Sequence, residues 1–94
     1  MDELIEDEDE EEEKEEWTRE TAKAQFGLGI MYFNGRGFLQ YYVKAYMWSN
    51  ISASNGNDNG GKNRDIIAKQ MTPSQIEEAQ KLARECVAKN YKGC

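Results

Sequence analysis

Histidine does not occur anywhere in the 94 residues. Its absence removes Ser–His and Cys–His nucleophile pairs and every histidine-ligated metal site. Cysteine occurs only twice, at Cys86 and Cys94, too few and too isolated for a structural zinc cage. The single proline, Pro73, leaves long stretches free to be helical. No apolar run approaches the ~20 residues that a membrane helix needs. The N-terminus carries acids where a signal peptide would carry a basic and then an apolar stretch. Phosphate-binding glycine loops are missing as well: Gly27 and Gly29 fall mid-helix, with no third glycine and no strand before them. Carboxylates are plentiful but crowd the first residues, where nothing fixes their separation for acid–base work. Calcium could bind there weakly, without EF-hand spacing. The expectation is a soluble, cytoplasmic chain that is not an enzyme and has no catalytic residue, metal or cofactor.

The net charge of −6 is an average over two regions. Residues 1–16 hold twelve acids and one lysine, a net −11, whereas residues 17–94 hold eleven basic residues and six acids, a net +5. A block of like charges stays solvated and disordered or loosely helical. The alternative is a tail that competes for basic partners or folds over the chain's own basic surface. Nucleic acid is not expected as a partner, because the tail repels phosphates and the basic residues of the body are scattered.

What remains is about eighty residues rich in helix formers, which points to an all-α class. From Ala22 to Phe33, Leu28 and Tyr32 share a helix face, with Ala24 one turn earlier. Phe26, Ile30 and Phe33 make a second apolar row. A helix apolar nearly all round is normally covered on both sides. Gly29 lies between the rows. A mid-helix glycine costs ~1 kcal/mol against alanine, and the return expected here is a close approach by another helix. Gly35 and Gly37 end this helix. A second follows from about Tyr42 to Asn55, with Ala45, Trp48 and Ser52 on one face and Val43, Met47 and Ile51 beside it. Asn55-Gly56 is the next stop signal.

This stretch resembles the Sel1-like repeat, a helix-turn-helix unit related to the tetratricopeptide repeat. The resemblance rests on Ala22, Ala24, Gln25, Leu28, Gly29, Tyr32, Gly35, Gly37, Phe38, Lys44, Ala45, Trp48, Ala53 and Gly56 at the family's spacing. Tyr41 stands where the family commonly has an aspartate that opens the second helix, and Ser52 stands for the first of two paired alanines. The family's cysteine-rich branch ties each repeat with a disulfide between its helices. No cysteine lies within this repeat, so that branch is not supported. The resemblance implies a short α-solenoid of antiparallel helix pairs, about four helices, of bacterial type. It divides the chain into an acidic tail (1–16), a helix-turn-helix repeat (17–56), and a degenerate half repeat with a capping helix (57–94). It also implies a non-catalytic adaptor role through protein–protein interaction.

Beyond Gly56, Gly60 and Gly61 predict a frayed start, with firm helix only from about Lys62 to Gln70 and Ile66, Ile67 and Ala68 inward. Thr72-Pro73-Ser74-Gln75 is a strong helix start: an N-cap, a proline at N1 and a capping box, with Met71 and Ile76 able to staple it. Ile76, Ala79, Ala83, Cys86 and Val87 form the stripe of the last helix. Cys86 reads as a small core residue and Cys94 as an exposed terminal one, since a bond between them would require the helix end to unwind. Thr18 or Thr21 could cap the first helix.

The candidate partner-binding residues are Phe26, Ile30, Phe33, Tyr41 and Tyr42. No repeat precedes Phe26, Ile30 and Phe33 to cover them. Either they stack on another protein or a second copy of this chain, or Trp17 and residues 18–23 fold back over them. The second functional expectation is a charge-driven regulator whose acidic tail binds basic proteins.

Overall fold

The structure is a computed structural model that describes residues 20–35 and 39–94. Four helices account for most of these residues: α1 (Ala22–Phe33), α2 (Leu39–Ser54), α3 (Asp58–Ala68) and α4 (Pro73–Ala88). No strand occurs among the described residues, in keeping with the all-α class. No helix among them is long and apolar enough to cross a membrane.

α2 is the central element and packs against each of the other three helices, while α1 also reaches α3. Its sequence accounts for that position. Val43, Tyr46, Met47 and Ile51 share one face of the helix, Ala45, Trp48, Ser49 and Ser52 line the opposite one, and all eight are buried. A helix that is apolar on every side must be covered on every side. The core divides into two neighbouring clusters along α2. One joins Val43, Ala45 and Tyr46 to Ile67 and Ala79; the other joins Met47, Trp48 and Ile51 to Ala83 and Cys86.

Three of the four helix starts have a capping residue among the described residues. Thr21 caps α1, its hydroxyl accepting from the Ala24 amide at 3.2 Å. Asn57 caps α3 in the same way through Gly60 at 3.1 Å. Thr72 and Gln75 form the expected reciprocal capping box, with Pro73 in the first turn, and Met71 and Ile76 both pack on the first cluster. Asn57 N–H reaches back to the Ser52 carbonyl, and Gly56 N–H bonds to Ala53. This is a Schellman closure of α2, with Gly56 at φ 101°, the left-handed position that lacks steric cost only for glycine.

The structure corrects several expectations. Among the described residues α1 is covered on one side, where it buries Ala24, Gln25 and Gly29, and the helix enclosed all round is α2. α2 begins at Leu39, ahead of Tyr42. α3 begins at Asp58, four residues ahead of Lys62. Its glycines do not fray it, because Gly60 is buried against α2 and Asn57 holds the first turn. The inward stripe of α3 is Gly60, Asn63 and Ile67. Ile66 points outward and is 51% exposed, since its neighbour Ile67 takes the inward position. Cys94 is neither free nor exposed. It is bonded to Cys86 and packs against the second cluster. The helix end does unwind to allow this: α4 stops at Ala88 and the chain doubles back.

Candidate interaction surface

α1 lies at the edge of the bundle, and its seat on α2 is close. A Cβ at Gly29 would overlap the Ser49 hydroxyl and approach the Ala45 carbonyl oxygen at 3.3 Å. The helix approach that Gly29 predicts is therefore an approach to α2. Leu28 and Tyr32 face the second cluster from the same side. Beyond the turn, α1 and α2 are joined by two ring contacts. Tyr32 meets Tyr41, and Phe33 meets Tyr42, each pair with centroids 6.1 Å apart. Gly35 leaves room for this: a Cβ there would stand 3.2 Å from the Tyr41 ring.

At the opposite end of the hairpin the link is polar. Gln25 is fully buried, and its Oε1 accepts from Asn55 Nδ2 at 2.8 Å. The same Asn55 amide donates to the Tyr91 hydroxyl at 3.3 Å. The start of α1, the end of α2 and the segment after α4 thus meet in one place.

The five candidate contact residues fall into two groups. Phe33 and Tyr42 are half-buried and pack on the first core cluster, while Tyr41 is half-buried over Tyr32 and Gly35. These three knit α1 to α2. Phe26 and Ile30 are half-buried too, but among the described residues they belong to neither cluster's packing shell. With them stands Met31, 68% exposed, and exposed Gly27, whose absent Cβ would have met nothing within 4 Å. At 3.6 residues per turn, Phe26, Ile30, Gly27 and Met31 cover roughly 140° of the helix circumference as one strip. Met31 was not among the expected contact residues because it belongs to neither apolar row. The available signal was its spacing, one turn after Gly27.

The residues that carry the resemblance lie in and around the α1–α2 hairpin. Ala24, Gly29, Ala45 and Trp48 are buried, Leu28 and Tyr32 are half-buried on the core, and Ala53 is half-buried beside α3. Gly35 and Gly56 form the turns described above. Gly37 and Phe38 lie outside the described residues, as do Trp17, Thr18 and the acidic tail. No group of three or more Cys, Asp or Glu placed to hold a metal ion occurs among the described residues. Comparison with family models, curated proteins and solved structures found no match to this chain.

Proposed function

We propose that this chain is a non-catalytic protein–protein interaction module, and that the outer side of α1 is its contact surface. The observation that carries the reading is the strip of Phe26, Gly27, Ile30 and Met31, which the core leaves outside its packing. Apolar residues grouped on one face of a surface helix favour a protein partner over water. Exposed Gly27 adds to this. It weakens the helix by ~1 kcal/mol relative to alanine, and no contact within the described residues compensates. A flat spot between large apolar side chains suits a helix lying close across α1.

The Sel1-like resemblance supports the same role. In stacked helix pairs, each repeat contacts its neighbours along the stack. Here α1 lies beside α3 and α2 beside α4, which suits two pairs stacked in sequence. On this reading the outer side of α1 takes a protein, or a second copy of the chain, in the way that one repeat stacks on the next. The competing reading, a regulator acting through its acidic tail, rests on the segregation of charge between residues 1–16 and the body.

A photoreactive amino acid placed at Met31, with exposed Lys69 as the control position, tests the proposal in the native host. Protein adducts that form at position 31, fade in a Phe26→Ala, Ile30→Ala background and do not form at 69 are the expected result. Adducts absent from 31, or equal at both positions, would overturn it.

A further inference from the structure

The second core cluster is closed by residues that come after the last helix. Along α4, the buried side chains are Ala79, Ala83 and Cys86, all small. Opposite them stand Met47, Trp48 and Ile51. The remaining cover comes from Leu28, Tyr32 and Leu82 of the helices and from Tyr91 and Cys94, which pack on this cluster from the returning segment.

That return is conformationally demanding. The Asn90 amide bonds to the Val87 carbonyl, and the Tyr91 amide bonds to the Cys86 carbonyl at 2.8 Å, a Schellman closure that needs one left-handed residue. The segment contains three: Asn90 at φ 56°, Tyr91 at φ 64° and Gly93 at φ 75°. Asparagine and glycine accept this region, but a bulky tyrosine rarely does. Lys89, Asn90, Lys92 and Gly93 are exposed. Among the described residues the non-covalent ties beyond Lys89, whose amide still bonds to the helix, are few: the Schellman pair, a 3.3 Å bond from the Lys92 amide to the Lys89 carbonyl within the segment itself, the Asn55 bond to the Tyr91 hydroxyl, and a 3.0 Å bond from Lys44 Nζ to the main-chain oxygen of Cys94. The remaining tie is the Cys86–Cys94 disulfide.

We propose that this disulfide is a redox-controlled clasp: oxidised, it holds residues 89–94 over Met47, Trp48 and Ile51; reduced, it releases them and uncovers that apolar surface while the helices stay folded. Strained backbone persists only while its surroundings over-determine it, and cutting the covalent tie leaves an exposed, left-handed segment with few bonds. Exposed segments held by few bonds open first.

The chemistry is thiol–disulfide exchange with a dithiol reductant. One thiolate of the reductant attacks Sγ of Cys94, the less buried of the two bonded residues. The S–S bond breaks, and Cys86 leaves as a thiolate that takes up a proton. The second thiol of the reductant then attacks the mixed disulfide and frees Cys94. The net change is two protein thiols and one oxidised dithiol, a transfer of two electrons and two protons. Cys86 is wholly buried, and expelling a thiolate among apolar groups is slow. The clasp therefore opens slowly. It stays closed in an oxidising compartment and opens under sustained cytosolic reduction.

The test compares the full chain after oxidation by glutathione disulfide and after reduction by dithiothreitol, with Cys94→Ser as a permanently open form. Amide hydrogen exchange is read for residues 89–94 and for α2, alongside Trp48 fluorescence. In the open forms, the Tyr91 amide should exchange at least about ten-fold faster while the amides around Met47 and Ile51 keep their protection. Unchanged protection at Tyr91 in both open forms would make the disulfide a passive staple and overturn the proposal. So would loss of protection throughout α2, since the bond would then be holding the whole fold. Two free thiols persisting after oxidation would overturn it as well.

Discussion

Gly60 of α3 rests on Ser52 of α2, so that a Cβ at position 60 would overlap the Ser52 hydroxyl and stand 2.9 Å from the Ser49 carbonyl oxygen. The Ser52 hydroxyl itself donates to that carbonyl at 2.9 Å. Beside this contact, Asn63 Nδ2 donates to Ser49 Oγ at 3.0 Å. α3 therefore attaches to α2 through a glycine, a buried amide, Ile67 and a 3.1 Å bond from the Arg64 guanidinium to Asn50 Oδ1, with little apolar bulk.

The two unlike glycine environments lead to substitutions of opposite sign. Gly60→Ala forces α3 away from α2, and overpacking of this kind costs roughly 1–3 kcal/mol. Gly27→Ala meets nothing within 4 Å, so it should stabilise the chain by up to ~1 kcal/mol through helix propensity alone. Denaturant unfolding of the two variants beside the parent measures both. Stabilisation by Gly60→Ala would mean that α3 does not sit on Ser52.

Trp48 is 3% exposed at the centre of the second cluster. Trp48→Ala should lose about 3–5 kcal/mol. For a folded body of about eighty residues, that is a large part of the total stability. Thermal unfolding followed by far-ultraviolet circular dichroism should show a broad, early transition or none. A variant that melts like the parent would place Trp48 at the surface.

The cap of α4 offers a milder perturbation. Thr72→Ala removes the acceptor of the 3.2 Å bond from the Gln75 amide but leaves Gln75 Oε1 accepting from the residue 72 amide. A loss of ~1 kcal/mol is expected, with Thr72→Ser restoring most of it. Hydrogen exchange should quicken in the first turn of α4 and little elsewhere. Equal losses in the alanine and serine variants would show that the hydroxyl is not the cap.

Local chemistry made much of this fold legible in the sequence. Thr72-Pro73-Ser74-Gln75 carries its own start signal, and Gly29 in the middle of an apolar helix signals a close neighbour. The misreadings share a cause, in that tertiary contacts overrode local propensity. Gly60 and Gly61 look like helix breakers until Ser52 and Ala53 are placed against them. Ile66 and Ile67 are alike in the sequence, and only the position of α2 decides which one is buried. The disulfide was hidden because helical spacing keeps Cys86 and Cys94 apart. The reversal depends on three left-handed residues, two of them not glycine. On α1, the apolar rows were visible, but which of them α2 would cover was not. Phe33 became part of the hairpin, and Met31 took its place on the outer strip.

Met31 also separates the interaction reading from the charge-driven one. At 68% exposure it contributes little to the fold, so Met31→Asp should change stability by no more than about 0.5 kcal/mol. A carboxylate in the middle of an apolar contact must be desolvated without a partner, so the same change should abolish any complex formed through α1. Sedimentation of the full chain, alone and with its crosslinked partner, would be run at low and high salt. An α1 contact should persist in high salt and vanish with Met31→Asp. A contact made by residues 1–16 should behave in the reverse way. It should weaken as the Debye length falls from ~8 Å at physiological ionic strength toward ~3 Å at 1 M, survive Met31→Asp, and disappear when residues 1–16 are deleted. Salt-sensitive binding that ignores position 31 would move the function from the helix face to the acidic tail.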